Sequence, residues 1–267
     1  MATPPGRQMP RRGPAGPARL ARLARAWIER LVLVQLVDRA VALAGLAFTA
    51  LVPLLIVYDA VVPTIDGRDF AADLTDRFEL KGAAAESLRQ ALASRAEVTS
   101  SFSVLGAVLV VFSALSFARA LQRLYEVAFR LPALGGVRGT PSTVLWVALI
   151  PAALTVGQVI DTLFGGTLVI VADLAFAAIA WTVSPFILLG RRLPWRTLAP
   201  TGVVTALAMS ILSVATVIWM PRAVAESADR YGLIGVAFAF VSWLVAAGFT
   251  LVGSAAAGAV MAERRAG

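Results

Sequence analysis

Six long apolar segments decide what kind of fold this chain can adopt. A helix rises 1.5 Å per residue, so about twenty apolar residues cross the ~30 Å hydrocarbon layer of a bilayer. The composition agrees, because 59% of the residues are hydrophobic and only 15% are charged. The sequence therefore predicts an all-α polytopic membrane protein, a six-helix transmembrane bundle with amphipathic interfacial helices. The predicted spans are about residues 40–62, 102–119, 143–164, 167–190, 201–220 and 233–262.

The segments outside the spans have patterns of their own. Residues 1–18 are rich in Pro, Gly and Arg, which is typical of a disordered basic tail. Residues 19–39 repeat apolar side chains at helical spacing, which predicts an amphipathic helix on the membrane surface. Residues 63–101 predict short amphipathic helices over the outer mouth of the bundle, with a solvated linker as the alternative. Residues 263–267 are predicted to be a short tail.

The distribution of positive charge predicts the orientation of the chain. Of the 24 Lys and Arg residues, 17 lie in the two termini and in the connections on the same side, and 7 lie in the opposite connections. Connections rich in Lys and Arg stay in the cytoplasm. Both termini are therefore predicted to be cytoplasmic. The net charge of +8 suits anionic membrane lipids, and no nucleic-acid partner is expected.

The absence of two residue types excludes much enzyme chemistry. The chain contains no Cys and no His. This removes disulfides, thiolate nucleophiles, Ser-His and Cys-His pairs, and the usual zinc ligands. No nucleophile is recognisably paired with a base, and no P-loop motif is present. We therefore expect no enzymatic activity, no cofactor and no metal site.

The second span is predicted to continue into the cytoplasm as an amphipathic helix that ends near Pro132. Its side chains divide into two faces by their spacing. The apolar face comprises Phe117, Leu121, Leu124, Ala128 and Leu131, and the polar face comprises Arg119, Arg123, Glu126 and Arg130.

Two groups of polar residues are candidate binding sites. The first is an acidic outer vestibule that attracts a cation or a lipid amine, consisting of Asp59, Gln158, Asp161 and Asp173. The alternative is that these carboxylates only reach the membrane interface or pair with outer arginines. The second is a set of inner contacts to lipid phosphate, consisting of Arg119, Arg123, Arg191, Arg192 and Arg196. Ordinary anchoring of positive loops in the cytoplasm is the alternative.

Prolines and small residues mark special places within the spans. Pro53, Pro151 and Pro185 each remove a backbone hydrogen bond, so helix breaks or kinks are predicted there. Simple bending is the alternative. In the last span, small side chains predict a smooth surface for close helix packing; they are Gly248, Gly253, Ser254, Ala255, Gly258 and Ala259.

Four motifs occur along the chain in a recognisable order. They are Ala44–Leu55 with Pro53 inside it, Leu105-Gly106 followed by Ser113–Gln122, Arg192–Arg196, and Tyr231–Gly235 followed by Trp243 and Gly253. In this order they resemble the YihY/BrkB family of bacterial envelope proteins, some of which were formerly described as ribonucleases. The chain departs from that family at Phe48, where a Tyr is usual, and at Gly253-Ser254-Ala255, where Gly-Ala-Glu is frequent.

The resemblance implies a six-helix protein of the bacterial inner membrane. For relatives, transport of an envelope lipid or another small molecule is proposed. Our leading hypothesis is therefore a protein that translocates or exposes an amphiphilic envelope molecule, such as a lipid. The alternative is a membrane scaffold that supports envelope integrity without transport. The expected partners are membrane lipids, together with envelope proteins or further copies of the chain.

Overall fold

The computed structural model describes residues 16–61, 101–163 and 166–266, and all regular structure within these ranges is helical. A 3-10 turn lies at Gly136–Gly139. The helices are α1 (Gly16–Leu33), α2 (Leu36–Val61), α3 (Ser101–Ala128), α4 (Thr140–Leu163), α5 (Thr167–Leu188) and a last stretch, Trp195–Ala266. Gly232 is not helical, with φ 59° and ψ −141°, and divides that stretch into α6 (residues 195–231) and α7 (residues 233–266).

The protein is an all-α polytopic membrane protein, as the sequence predicts. Within the described ranges, five helices are long and apolar enough to cross a membrane. A sixth span results if α1 and α2 are counted together, although the chain bends by 57° between them. The predicted outer connection lies almost wholly outside the described residues. Most of the predicted tail also lies outside the described residues. The helix α1 nevertheless begins at Gly16, within that tail, because a proline such as Pro17 is tolerated in the first turn of a helix.

The bend between α1 and α2 lets α1 pack on the rest of the bundle. Gln35 lies at the bend with φ 53°. The indole of Trp27 donates a hydrogen bond to the carbonyl of Gly253 in α7, at 3.1 Å. Arg30 is buried, donates to the carbonyl of Ala128 and forms an ion pair of 2.6 Å with Glu263. These contacts attach the amphipathic helix α1 to α3 and α7. The other side of α1 remains exposed.

The main core lies at the end of the bundle that carries α1 and the carboxyl terminus, which we call the terminal end. Its fully buried side chains come from α2, α3, α5, α6 and α7, and they include Leu121, Leu124, Leu188 and Val252. The predicted apolar face of α3 is thus confirmed as a buried face. In contrast, α4 and α5 expose most of their apolar side chains, as helices facing lipid do.

The hairpin of α6 and α7 extends away from this core. Trp195–Gly232 comprises 38 residues, so this arm is about 57 Å long, far more than the ~30 Å hydrocarbon layer. Near the turn, Met220 and Val224 pack against Val236 and Ala239 in a second cluster. Residues 221–232, predicted as a connection, are therefore the tip of a long hairpin, which is helical on both sides of Gly232.

Small residues allow three close helix contacts. A Cβ atom added at Gly248 would overlap the carbonyl of Ala40 in α2, and one added at Gly258 would overlap Thr201 in α6. Likewise, a Cβ added at Gly202 would overlap Thr182 in α5. The predicted packing surface on the last span is confirmed at two of its glycines, whereas Gly253 has open space beside it.

The helices α2, α4 and α5 continue through Pro53, Pro151 and Pro185, so the chain does not leave the helical conformation at the predicted breaks. Kinks or simple bends at these prolines stay predictions. The actual breaks lie at Gln35 and Gly232, where the backbone has positive φ.

Candidate functional site

The end of α3 shapes a polar site at the terminal end of the bundle. Arg130, with φ 53°, reverses the chain after Ala128, so that Leu131 N–H bonds back to the carbonyl of Glu126 at 2.8 Å. A carbonyl-to-amide pattern of this kind closes a helix terminus. Residues 131–139, which we call the return segment, then run back beside the polar face of α3.

Glu126 fixes the return segment to α3. Its carboxylate is buried, with 3% of the residue exposed. The Oε1 atom accepts hydrogen bonds from Leu134 N–H at 2.8 Å and from Arg192 Nη2 at 3.0 Å. Arg192 also donates to the carbonyls of Pro132 and Leu189, at 2.6 and 2.9 Å. Glu126 belongs to the predicted polar face of α3, and the return segment covers this part of that face, whereas Arg119 and Arg123 remain exposed.

A cavity of about 460 Å³ lies between α3 and the return segment. Residues 133–135, 139 and 140 form one wall, and the opposite wall consists of Arg119, Gln122, Arg123 and Glu126. The cavity therefore lies between two neighbouring turns of α3 on one side and the return segment with the start of α4 on the other.

The charge of the cavity is positive. Arg119 and Arg123 are exposed at its rim, and neither forms an ion pair within the described part of the chain. Arg119 Nη2 makes a long contact of 3.4 Å with the hydroxyl of Thr140. Arg39 lies close enough to Arg123 for their charges to repel. The one carboxylate in the wall, Glu126, is compensated by Arg192.

Gln122 contributes an unused donor to the same wall. Only 5% of the residue is exposed, and its Nε2 atom has no hydrogen-bond partner among the described residues. The amide lies against Gly139, where an added Cβ would be 3.1 Å from both Nε2 and Oε1. A buried amide without a partner is costly. The site is therefore suited to a ligand that accepts hydrogen bonds.

The five predicted inner arginines do not act as one group. Arg119 and Arg123 line the cavity, whereas Arg192 holds the return segment from the other side of Glu126. Arg196 is exposed and lies over the ring of Trp195 at 5.7 Å, and Arg191 is exposed after the turn at Gly190. Sequence reasoning named the two cavity arginines but missed Gln122 and the role of Glu126.

The predicted outer vestibule is described only at Asp173, which is half-buried in the second turn of α5. Asp59 lies in α2, and Gln158 and Asp161 lie in α4, but their side chains are outside what the structure describes. Helices α4 and α5 pack together beside Gly166, which has φ 60°. The vestibule stays a prediction. In the described part of the chain, no group of three or more His, Cys, Asp or Glu residues could hold a metal ion.

Comparison with known families decides the classification of this chain. A family model described as virulence factor BrkB matches residues 27–267. The chain belongs to the BrkB family. No curated protein and no solved structure matches it. The match confirms the resemblance seen in the motifs, and it covers both walls of the cavity.

The structure locates one of the two positions at which this chain departs from the BrkB-family motifs. Ala255 occupies the position of the Glu in the Gly-Ala-Glu motif, and it is fully buried in the main core. The neighbouring Gly253 gives its carbonyl to Trp27 of α1. An apolar contact in the main core therefore occupies the position of that carboxylate.

Proposed function

We propose that this BrkB-family protein binds the headgroup of an amphiphilic envelope molecule, such as a lipid, and translocates or exposes it at the inner membrane. The observation that carries the proposal is the positively charged cavity between α3 and the return segment, on what we propose is the cytoplasmic side. Arg119 and Arg123 are its uncompensated charges. Guanidinium groups bind anionic headgroups well, because their several N–H donors make charge-assisted hydrogen bonds.

The face of α3 beside the cavity suits the rest of an amphiphile. Phe112 and Val108 lie seven and eleven residues before Arg119, so they fall on the same side of the helix. Both are well exposed, at 69% and 59%. They lie about 10 and 16 Å along the axis from Arg119. A molecule with its headgroup in the cavity can thus place its acyl chains along an apolar stripe of α3.

The main core restricts where such a molecule can pass. Leu121 and Leu124 of α3 are fully buried against α2 and α7. A polar headgroup is costly to bury among apolar side chains without partners. We therefore place the route on the lipid-facing side of α3 and α4.

A scaffold that organises envelope proteins is the second candidate. It is favoured by the same solid core, because a scaffold needs a stable bundle and no route for a substrate. The α6 and α7 hairpin, which is longer than the membrane is thick, offers it a protein-docking element. The two candidates differ in whether lipid moves.

Lipid movement can be measured in proteoliposomes with a headgroup-labelled lipid and a quencher that reaches only the outer leaflet. The wild-type protein should remove the protected inner-leaflet signal faster than protein-free vesicles do. The Arg119→Ala/Arg123→Ala double variant should slow this loss at least tenfold, since each charge-assisted contact is worth about 1.5–3 kcal/mol.

Arg196→Ala is the matched control, because it removes an exposed arginine at the same end of the bundle that does not line the cavity. We expect it to retain the wild-type rate. A signal that stays protected with wild-type protein and several lipid headgroups would contradict translocation and favour the scaffold.

A further inference from the structure

The hydrogen-bonding groups of the cavity indicate the chemistry of its ligand. Gln122 supplies an unpartnered N–H group from a buried position, and Arg119 and Arg123 supply guanidinium N–H groups at the rim. The carboxylate of Glu126 is already paired with Arg192 and accepts a hydrogen bond from Leu134 N–H. The uncompensated charges of the cavity are therefore positive, and the ligand that suits them is an anion with acceptor oxygens.

The number of charges indicates which acceptor fits. Two guanidinium groups line the cavity without a carboxylate partner in the described ranges. A phosphate monoester carries about −1.5 to −2 charges at neutral pH and three acceptor oxygens. A carboxylate carries a single negative charge, so it would leave more of the positive charge of the cavity uncompensated than a phosphate monoester does.

We infer that this cavity is a binding site for a phosphate group, in which Arg119 and Arg123 donate from the rim and the Gln122 amide, whose Nε2 atom is covered in the ligand-free protein, turns to donate from the buried wall. This inference rests on the proposed function and deepens it, since it names the headgroup as one that carries phosphate. The volume of the cavity, about 460 Å³, lies within the range of small-molecule sites. The space therefore admits a phosphate together with the group that carries it.

Gly139 has a part in this arrangement. Its missing side chain lets the backbone of the return segment lie directly against the amide of Gln122. A methyl group there would be 2.8 Å from the carbonyl of Leu134 and 3.1 Å from the Gln122 amide. One of these groups would have to move, so the geometry of the donor depends on a glycine at this position.

Binding can be measured with the purified full-length protein in phosphate-free detergent solution, by calorimetric titration. The probes are inorganic phosphate, a short-chain phosphatidic acid and the matching short-chain diacylglycerol. The wild type should bind phosphatidic acid and not diacylglycerol. Gln122→Leu, which replaces the amide with an apolar group of similar size, should raise the dissociation constant at least tenfold.

Two readouts separate this role from a purely structural one. The ligand-free Gln122→Leu protein should be no less thermally stable than the wild type, because the change removes an unpaired buried amide. Arg196→Ala should bind phosphatidic acid as the wild type does. Equal binding of phosphatidic acid by the wild type and Gln122→Leu, or equal binding of diacylglycerol and phosphatidic acid, would overturn the phosphate site.

The probes also distinguish a failure of this inference from a failure of the proposed function. Phosphatidic acid that binds much more tightly than inorganic phosphate would support both. Inorganic phosphate that binds as tightly as phosphatidic acid would keep the phosphate site but remove the lipid as its source. If phosphatidic acid binding depends on Gln122 but no lipid moves in proteoliposomes, translocation is refuted and the phosphate site stands.

Discussion

Replacing Glu126 with alanine should destabilise the protein by about 2–3 kcal/mol and release the return segment from α3. The change leaves Arg192 without its carboxylate and Leu134 N–H without an acceptor. Breaking a buried ion pair costs about 3–5 kcal/mol. We expect a loss below this range because 24% of the Arg192 side chain is exposed to solvent. Glu126→Gln, which keeps an acceptor for Leu134 N–H, should lose less.

Two measurements in mixed micelles test this effect: the free energy of unfolding and the rate of hydrogen exchange at the Leu134 amide. The amide should exchange much faster in Glu126→Ala than in the wild type. Glu226→Ala is the control, because it removes an exposed ion pair with Arg230 on α6. Such surface pairs are worth about 0.5 kcal/mol or less. Equal losses for the two variants would mean that Glu126 does not hold the return segment.

The second large effect is expected for Gly258→Ala, which should destabilise the contact between α6 and α7 by about 2 kcal/mol. The added methyl group would overlap the backbone and the hydroxyl of Thr201. Thr201 is fully buried, so the two helices would have to separate along the contact. In a membrane, close packing of this kind is a main source of helix association.

Gly253→Ala provides the matched comparison on the same helix. No atom lies within 4 Å of a Cβ added at Gly253. Alanine also has the better helix propensity, so this variant should be unchanged or slightly more stable. The midpoint of thermal unfolding in detergent separates the two changes. A Gly258→Ala midpoint equal to that of Gly253→Ala would show that α6 and α7 do not approach as closely as described.

The fold class was the most predictable property, because the length of the apolar segments alone determines it. The long apolar segments predicted an all-α membrane protein, and the order of its motifs predicted the BrkB family. The helix breaks were harder to predict. Three prolines looked like breaks, yet the backbone reverses or bends at Gln35, Arg130 and Gly232. Two of these are not glycine, so surrounding contacts rather than local preference impose their positive φ.

The cavity was only partly predictable for a related reason. Arg119 and Arg123 were candidates because they are basic and recur at helical spacing. Glu126 has the same spacing, and a pattern on one helix cannot show that a later segment will cover it. Its partner, Arg192, lies 66 residues further along the chain. Gln122 gave no signal of a binding role, because an uncharged amide becomes notable only once it is buried without a partner.

The most direct test of the central claim asks which molecule touches the cavity in native membranes. A small diazirine-bearing amino acid placed at Ala133, an exposed residue of the cavity wall, would be irradiated, and its adducts identified by mass spectrometry. Trp195, exposed at the same end but not among the residues that line the cavity, is the control position. We predict adducts with a phosphate-bearing lipid at position 133 that are lost in the Gln122→Leu background. The same mixture of bulk lipids at both positions, unaffected by Gln122→Leu, would contradict the account.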